Sequence, residues 1–95
     1  MAAYVIFNYL QVYDEEKMLE YRKHAHPTVA TYGGTVKVRP GELHMLEGPA
    51  SQYMIITEFQ DVTTARAWYD SPEYQIARRI REPAADVQVM IVPGV

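Results

Sequence analysis

Two histidines are the residues best suited to move a proton near neutral pH, because neutral imidazole is a general base there. His24 and His26 stand two positions apart, directly before Pro27. Residues two apart on a helix point about 200° from each other, so at most one faces a common cleft unless Pro27 breaks the helix. We take His26 as the candidate catalytic base; the alternative is that both are surface or capping residues. The four-residue spacing of a helical histidine metal pair is absent, so no metal site is expected.

A carboxylate and an arginine form a second candidate group. Glu58 lies between Thr57 and Phe59 in an otherwise apolar segment. A carboxylate in that setting is either paired or has its pKa raised by desolvation, and the second state suits a general base. Arg39 carries a planar guanidinium that can bind a carboxylate or an enolate through two hydrogen bonds, so it is the candidate anion anchor. The alternative is a cross-strand ion pair between Arg39 and Glu58, worth less than about 1 kcal/mol when exposed.

Aromatic side chains supply the third group, and 8 Tyr against 2 Phe and 1 Trp make it unusually polar for a core. A phenolic hydroxyl donates a hydrogen bond to a carbonyl or enolate oxygen, and we assign that task to Tyr32. The residues expected to line a substrate pocket are Tyr21, Trp68, Tyr69 and Tyr74. The alternative is packing in the core or at its rim, where tyrosine hydroxyls stay in contact with water.

Four segments have the composition of strands, and they must position these side chains. Runs rich in β-branched and aromatic residues predict strands at residues 4–12, 35–39, 53–59 and 86–92. The first and third runs are apolar on both parities, as in central strands covered on both faces. Residues 43–47 either resume the second strand after Pro40 or form a hairpin arm.

Helical patterns fill the two long intervals between these strands. N-cap residues begin the predicted helical segments at Asp14, Asp61 and Ser71. Gly33 is placed to end the first helix, because glycine readily adopts the left-handed conformation of a C-terminal cap. Pro27 lacks an N–H and clashes with the preceding turn, so it predicts a kink, or a break and restart, near His26.

The order β-α-β-β-α-β predicts a single ferredoxin-like α+β domain over residues 1–95. Right-handed crossovers place both helices on one face of a four-stranded antiparallel sheet. The other face would then expose a large apolar patch, so we expect a homodimer in which two sheets stack face to face, a dimeric α+β barrel. A chain of 95 residues buries only about 60–65% of its unfolded surface and gains much from such a partner.

Composition argues against several classes of function. With 9 Lys and Arg against 12 Asp and Glu, the net charge of −3 is unlike that of a nucleic-acid-binding protein. No Cys is present, which excludes a thiolate metal site and a cysteine nucleophile. No apolar run is long enough to span a membrane and no signal peptide is evident, so the expected location is cytoplasmic.

Several short motifs resemble domain-of-unknown-function family 1330 across essentially the whole chain. They are Tyr21-Arg22, Tyr32-Gly33-Gly34, Arg39, Leu46-Glu47-Gly48, Glu58-Phe59 and the run from Ala65 to Tyr74. The resemblance implies membership of the dimeric α+β barrel group. Relatives with that fold include cofactor-free monooxygenases, polyketide cyclases, lactone isomerases and structural proteins, so the resemblance implies no single reaction. His24 and His26 depart from the family's usual pattern.

Together these residues favour a small enzyme without a tightly bound metal or organic cofactor. Its expected substrate is an aromatic, polyketide-like or carboxylated small molecule that loses a proton next to a carbonyl. His26 or Glu58 would be the base, and electrostatic stabilisation of the enolate would fall to Arg39 and Tyr32. The product would arise by isomerisation, cyclisation or oxygenation. The alternative is a non-catalytic small-molecule-binding or structural dimer, with Glu58 paired to a cation and no free base in the cleft.

Overall fold

The strand β1 (Ala3–Val12) lies at the centre of the fold. In the computed structural model, which describes all 95 residues, it pairs antiparallel with β3 (Tyr53–Phe59) on one side and β4 (Ala85–Pro93) on the other. β2 (Thr35–Val38) pairs antiparallel with the outer edge of β3, so the sheet order is β2-β3-β1-β4. The prediction that the two strands apolar on both parities are central is therefore confirmed.

Three helices complete the ferredoxin-like order. They are α1 (Glu15–Thr31), α2 (Val62–Asp70) and α3 (Pro72–Arg81), and a single 3₁₀ turn (Glu82–Ala84) leads into β4. α2 and α3 together occupy the place of the predicted second helix, because Ser71 ends one segment and caps the next. The α+β class and the β-α-β-β-α-β order expected from the sequence are confirmed.

Local side-chain chemistry fixes the helix ends as predicted. Each N-cap side chain accepts a hydrogen bond from the backbone N–H three residues on, and the pairs are Asp14 with Lys17, Asp61 with Thr64, and Ser71 with Tyr74. Gly33 follows the end of α1 with φ +72°, a conformation that glycine adopts without strain. Gly34 then passes so close to Phe59 that a Cβ would lie 2.6 Å from its ring.

Pro27 does not interrupt α1, so the predicted break and restart is wrong. The helix is continuous through Pro27 to Thr31. The missing N–H deprives only the Lys23 carbonyl of its partner, and both residues lie on the exposed side of the helix, where water can solvate that carbonyl. Side-chain hydrogen bonds support the same turn, since the Thr28 hydroxyl donates to the Ala25 carbonyl at 2.6 Å.

Residues 39–52 contain no strand, so the predicted pairing of residues 43–47 is also wrong. β2 ends at the pair Val38–Ile56, and Pro40 has no N–H with which to continue the ladder. The segment beyond it is mostly exposed. The apolar composition of residues 43–47 therefore does not by itself make them a strand.

The sheet has one face covered by helices and one open face. Along β1, the residues that face the helices are 0% to 3% exposed, and they are Ala3, Val5, Phe7 and Tyr9. The opposite parity forms the open face, whose apolar members are Tyr4, Ile6, Met54, Ile56, Met90 and Val92. These side chains stay half-buried or exposed, so the apolar patch that the sequence predicted is present in the folded chain.

Candidate functional site

A cavity of about 390 Å³ lies between α1 and the helix-covered face of the sheet. Its walls are mostly apolar, with Phe7, Ile55 and Val36 of the strands on one side and Ala25 and Val29 of α1 on the other, and α2 adds Trp68. This volume falls in the range of small-molecule sites.

Three basic side chains border the cavity, and α1 and β2 position them. His26 and Arg22 lie four residues apart on α1, so they project on the same side of the helix, next to its buried stripe. Arg39 follows the last residue of β2 and borders the opening from the sheet side. His26 and Arg39 are exposed and form no ion pair. No Asp or Glu lines the cavity, which makes its lining basic in an acidic chain.

Glu58 lies on the other side of the sheet from this cavity. It pairs with Tyr4 of β1 in the register, while its neighbours Thr57 and Phe59 point toward the helices. Its carboxylate Oε1 is 3.6 Å from the Lys37 Nζ, on the open face. The structure therefore separates Glu58 from His26 and Arg39, and the cross-strand ion pair forms with Lys37 instead of with Arg39.

Tyr32 does not border the cavity. It caps the C-terminal end of α1, and its hydroxyl donates to the Glu73 carboxylate at 3.5 Å, in an exposed setting. Tyr69 also lies outside the lining, half-buried against Trp68 and Tyr74. Neither residue is placed to contact a molecule in the cavity.

The other predicted aromatic residues fall into two groups. Tyr21 and Trp68 line the cavity. Tyr74 is fully buried in the core behind it, where its hydroxyl lies 2.9 Å from that of Tyr21. The indole N–H of Trp68 donates to the Thr28 hydroxyl at 2.9 Å. These polar groups are therefore satisfied within the protein, and burial raises the pKa of Tyr21 and of Tyr74, so both hydroxyls stay protonated at neutral pH.

Sequence reasoning missed a set of polar atoms next to the cavity. The side-chain atoms that are shielded from solvent yet have no hydrogen-bond partner there are Tyr9 Oη, Tyr53 Oη, Arg22 Nη1 and Arg81 Nε. Arg81 is only 5% exposed and has no carboxylate partner; its guanidinium lies 5.5 Å from the centre of the Tyr21 ring. The sequence does contain one indication that Arg22 lies beside the cavity, namely its four-residue spacing from His26.

No three His, Asp or Glu side chains come together in an arrangement able to hold a metal ion. No helix combines the length and the apolar composition needed to cross a bilayer.

The sheet order and the helix-covered cavity define a ferredoxin-like α+β protein with a pocket of small-molecule size. Residues 2–95 match the model of the family described as Domain of unknown function (DUF1330), so the chain belongs to that family. A comparison with curated proteins finds no match.

Solved structures share the fold over almost the whole chain. A dimeric ferredoxin-like protein of unknown function from Jannaschia sp. CCS1 superposes with a TM-score of 0.80 at 12% identity, covering 99% of this chain and 100% of that one. A protein of unknown function from Rhodopseudomonas palustris gives a TM-score of 0.76 at 20% identity, over 99% and 82% of the two chains. SnoaB, a cofactor-independent oxygenase from Streptomyces nogalater, gives 0.64 at 13% identity, over 99% and 92%. At these identities the likeness establishes the fold alone.

Proposed function

We propose that this protein is a cofactor-free enzyme that binds an aromatic, polyketide-like or carboxylated small molecule in the cavity beneath α1. The observation that carries the proposal is a cavity of about 390 Å³ with apolar walls and a basic rim. An apolar site with a few polar groups binds a ring system while orienting one reactive oxygen. The fold shared with a cofactor-independent oxygenase is consistent with such chemistry.

The proposed reaction is proton abstraction next to a carbonyl. The neutral imidazole of His26 takes the proton, and the electron pair of the C–H bond moves onto the carbonyl oxygen to give an enolate. Arg39 stabilises that oxygen from the other side of the opening. The enolate then takes a proton at another carbon, attacks a second carbonyl, or reacts with molecular oxygen. Glu58 and Tyr32 have no part in this scheme, because they lie outside the cavity.

Hydrogen exchange tests the chemistry without knowledge of the natural substrate. The probe is anthrone, a planar tricyclic ketone whose CH₂ is conjugated with the carbonyl through the aromatic rings, so that loss of a CH₂ proton places the electron pair on the carbonyl oxygen as an enolate. In D₂O, the wild-type protein should accelerate the loss of the CH₂ signal in proton NMR, and His26→Ala should abolish the acceleration. His24→Ala is the matched control, because His24 is an exposed neighbour on α1 that does not line the cavity. Equal rates for wild type and His26→Ala would remove His26 as the base.

The second candidate function is non-catalytic binding, and one observation favours it. Glu58, a predicted base, is engaged with Lys37 on the open face, which leaves His26 as the only carboxylate or imidazole base in the lining. This alternative predicts that anthrone or an aromatic acid raises the melting temperature of the protein while exchange stays at the uncatalysed rate.

We propose that two copies of the chain stack through their open faces into a dimeric α+β barrel. The half-buried apolar side chains on that face support a partner, and a structural neighbour is described as dimeric. Sedimentation velocity tests this assembly: Ile56→Arg on the open face should yield a monomer. Ile76→Arg is the control, because Ile76 is exposed on α3, and it should leave the dimer intact. A wild-type monomer would exclude the assembly.

A further inference from the structure

The polar atoms without partners beside the cavity form one cluster. Tyr9 and Tyr53 face each other across β1 and β3, and their ring centres are 4.9 Å apart. Tyr9 and Arg22 both line the cavity. Burial raises the pKa of the Tyr9 hydroxyl, and the positive charges of Arg81 and Arg22 oppose that rise. Arg22 acts in the same way on the pKa of Tyr53. One guanidinium, that of Arg22, and the phenol of Tyr9 thus lie at the cavity wall, with the Tyr53 ring packed on that of Tyr9.

Tyr9 Oη, Tyr53 Oη and Arg22 Nη1 have no hydrogen-bond partner in the structure; each can donate, and the two phenol oxygens can also accept. The one carboxylate nearby is that of Glu15, which lies 3.9 Å from Nη2 of Arg22 and leaves Nη1 unpartnered. Burying a hydrogen-bond donor without an acceptor costs free energy of folding, and burying an arginine without a carboxylate costs more. An anion with several acceptor oxygens is the chemical group that matches such a set.

We infer that this part of the cavity is a carboxylate-binding subsite, in which Arg22 and the hydroxyls of Tyr9 and Tyr53 hold the carboxylate of an aromatic acid. A planar carboxylate matches the planar fork of the guanidinium, and the apolar walls receive the attached ring. The side chains of Tyr9 and Arg22 already form part of the cavity wall. Their donor atoms are shielded, so rotation of the partly exposed Arg22 side chain admits the carboxylate. The inference rests on the proposed function only in taking this cavity as the ligand site.

Calorimetric titration with benzoate and benzamide tests the subsite, because the two compounds have the same shape and differ in charge. Wild-type protein should bind benzoate about tenfold more tightly than benzamide. Arg22→Gln should lose about tenfold in benzoate affinity and leave benzamide within about twofold. Tyr9→Phe keeps the ring and removes only the hydroxyl, and it should weaken benzoate by about fivefold.

Matched controls lie away from the cluster. Arg79→Gln removes an exposed arginine of α3, and Tyr13→Phe removes a surface hydroxyl that donates to Asp86; both should bind benzoate as wild type does. Equal wild-type affinity for benzoate and benzamide would overturn the subsite. So would a Tyr9→Phe variant with unchanged benzoate affinity, which would mark the hydroxyl as part of the core alone. Anthrone is uncharged, so its exchange can persist when benzoate selectivity fails, and the two proposals fail separately.

Discussion

The layer between helices and sheet is filled under α2 and α3 and open under α1. At the filled end, the Trp68 ring centre lies 4.2 Å from that of Tyr74 and 5.2 Å from that of Phe59. Ala65 and Ala77, both fully buried, let the two helices approach closely. At the open end, the shorter side chains of Ala25 and Val29 on α1 face the sheet, and the space beneath them is part of the cavity. Side-chain size along the helices therefore decides where this small domain keeps an empty site.

The two ends also differ in how their polar atoms are satisfied. At the filled end, the Ser71 hydroxyl donates to the Trp68 carbonyl at 2.8 Å and accepts from the Tyr74 N–H at 3.2 Å. At the open end, Tyr9, Tyr53 and Arg22 each have a shielded polar atom without a partner, as does Arg81 of α3, whose guanidinium lies 5.5 Å from the centre of the Tyr21 ring. A protein tolerates such atoms where function needs them, which makes the open end the candidate site.

Removing the indole should have the largest effect on stability. Trp68→Ala deletes a side chain that is 1% exposed and packed on four other aromatic rings, and it should lower the free energy of unfolding by about 3–5 kcal/mol. Val29→Ala, on the cavity wall, should cost less than about 2 kcal/mol, since its side chain already faces empty space on one side. Urea denaturation measures both. Similar losses of unfolding free energy per removed carbon atom would show that the two ends are packed alike.

Two Tyr→Phe substitutions should affect the free energy of unfolding differently at the two ends, with a loss at the filled end and no change or a gain at the open end. Tyr74→Phe breaks the hydroxyl pair with Tyr21 and leaves that buried hydroxyl without a partner, so it should destabilise by about 1–3 kcal/mol. Tyr9→Phe removes a hydroxyl that has no partner, so the free energy of unfolding should stay the same or rise. Chemical denaturation of both variants beside wild type gives the difference. A large loss in Tyr9→Phe would mean that its hydroxyl is bonded in solution.

The fold was predictable because its signals are local. N-cap residues, the glycine after α1 and the β-branched runs each specify backbone geometry within a few residues, and the structure confirms them. The two errors came from residues whose effect depends on their surroundings. Pro27 is tolerated because the carbonyl it leaves unpaired lies on the exposed side of α1. Residues 43–47 look like a strand, but they follow Pro40, which cannot continue the β2 ladder, and they stay mostly exposed.

The candidate site was only partly predictable, because it depends on which parity of each strand faces the helices. His26 and Arg39 could be chosen by residue type, and the structure places both beside the cavity. Glu58 could not be assigned to a face from sequence, and the register with β1 places it on the far side. The approach of Tyr9 to Tyr53 likewise follows from strand register, which no spacing along the chain reveals.

Substitution of Asp61, the exposed N-cap of α2, should have the smallest effect on the free energy of unfolding. The Asp61 carboxylate accepts hydrogen bonds from Thr64, including its backbone N–H at 2.7 Å, and these bonds hold the pKa of Asp61 below its ordinary value of 3.8. A lowered folded-state pKa gives stability that is fully present above the unfolded-state pKa and is lost as the pH falls through the folded-state pKa. Asp61→Asn keeps an acceptor oxygen but no titrating charge. Wild type should therefore exceed Asp61→Asn in stability at pH 7, and the gap should close below about pH 4. Urea unfolding of both proteins at pH 7 and at pH 3 measures the gap, and a gap of equal size at the two pH values would show that the charge of Asp61 contributes nothing to the filled end.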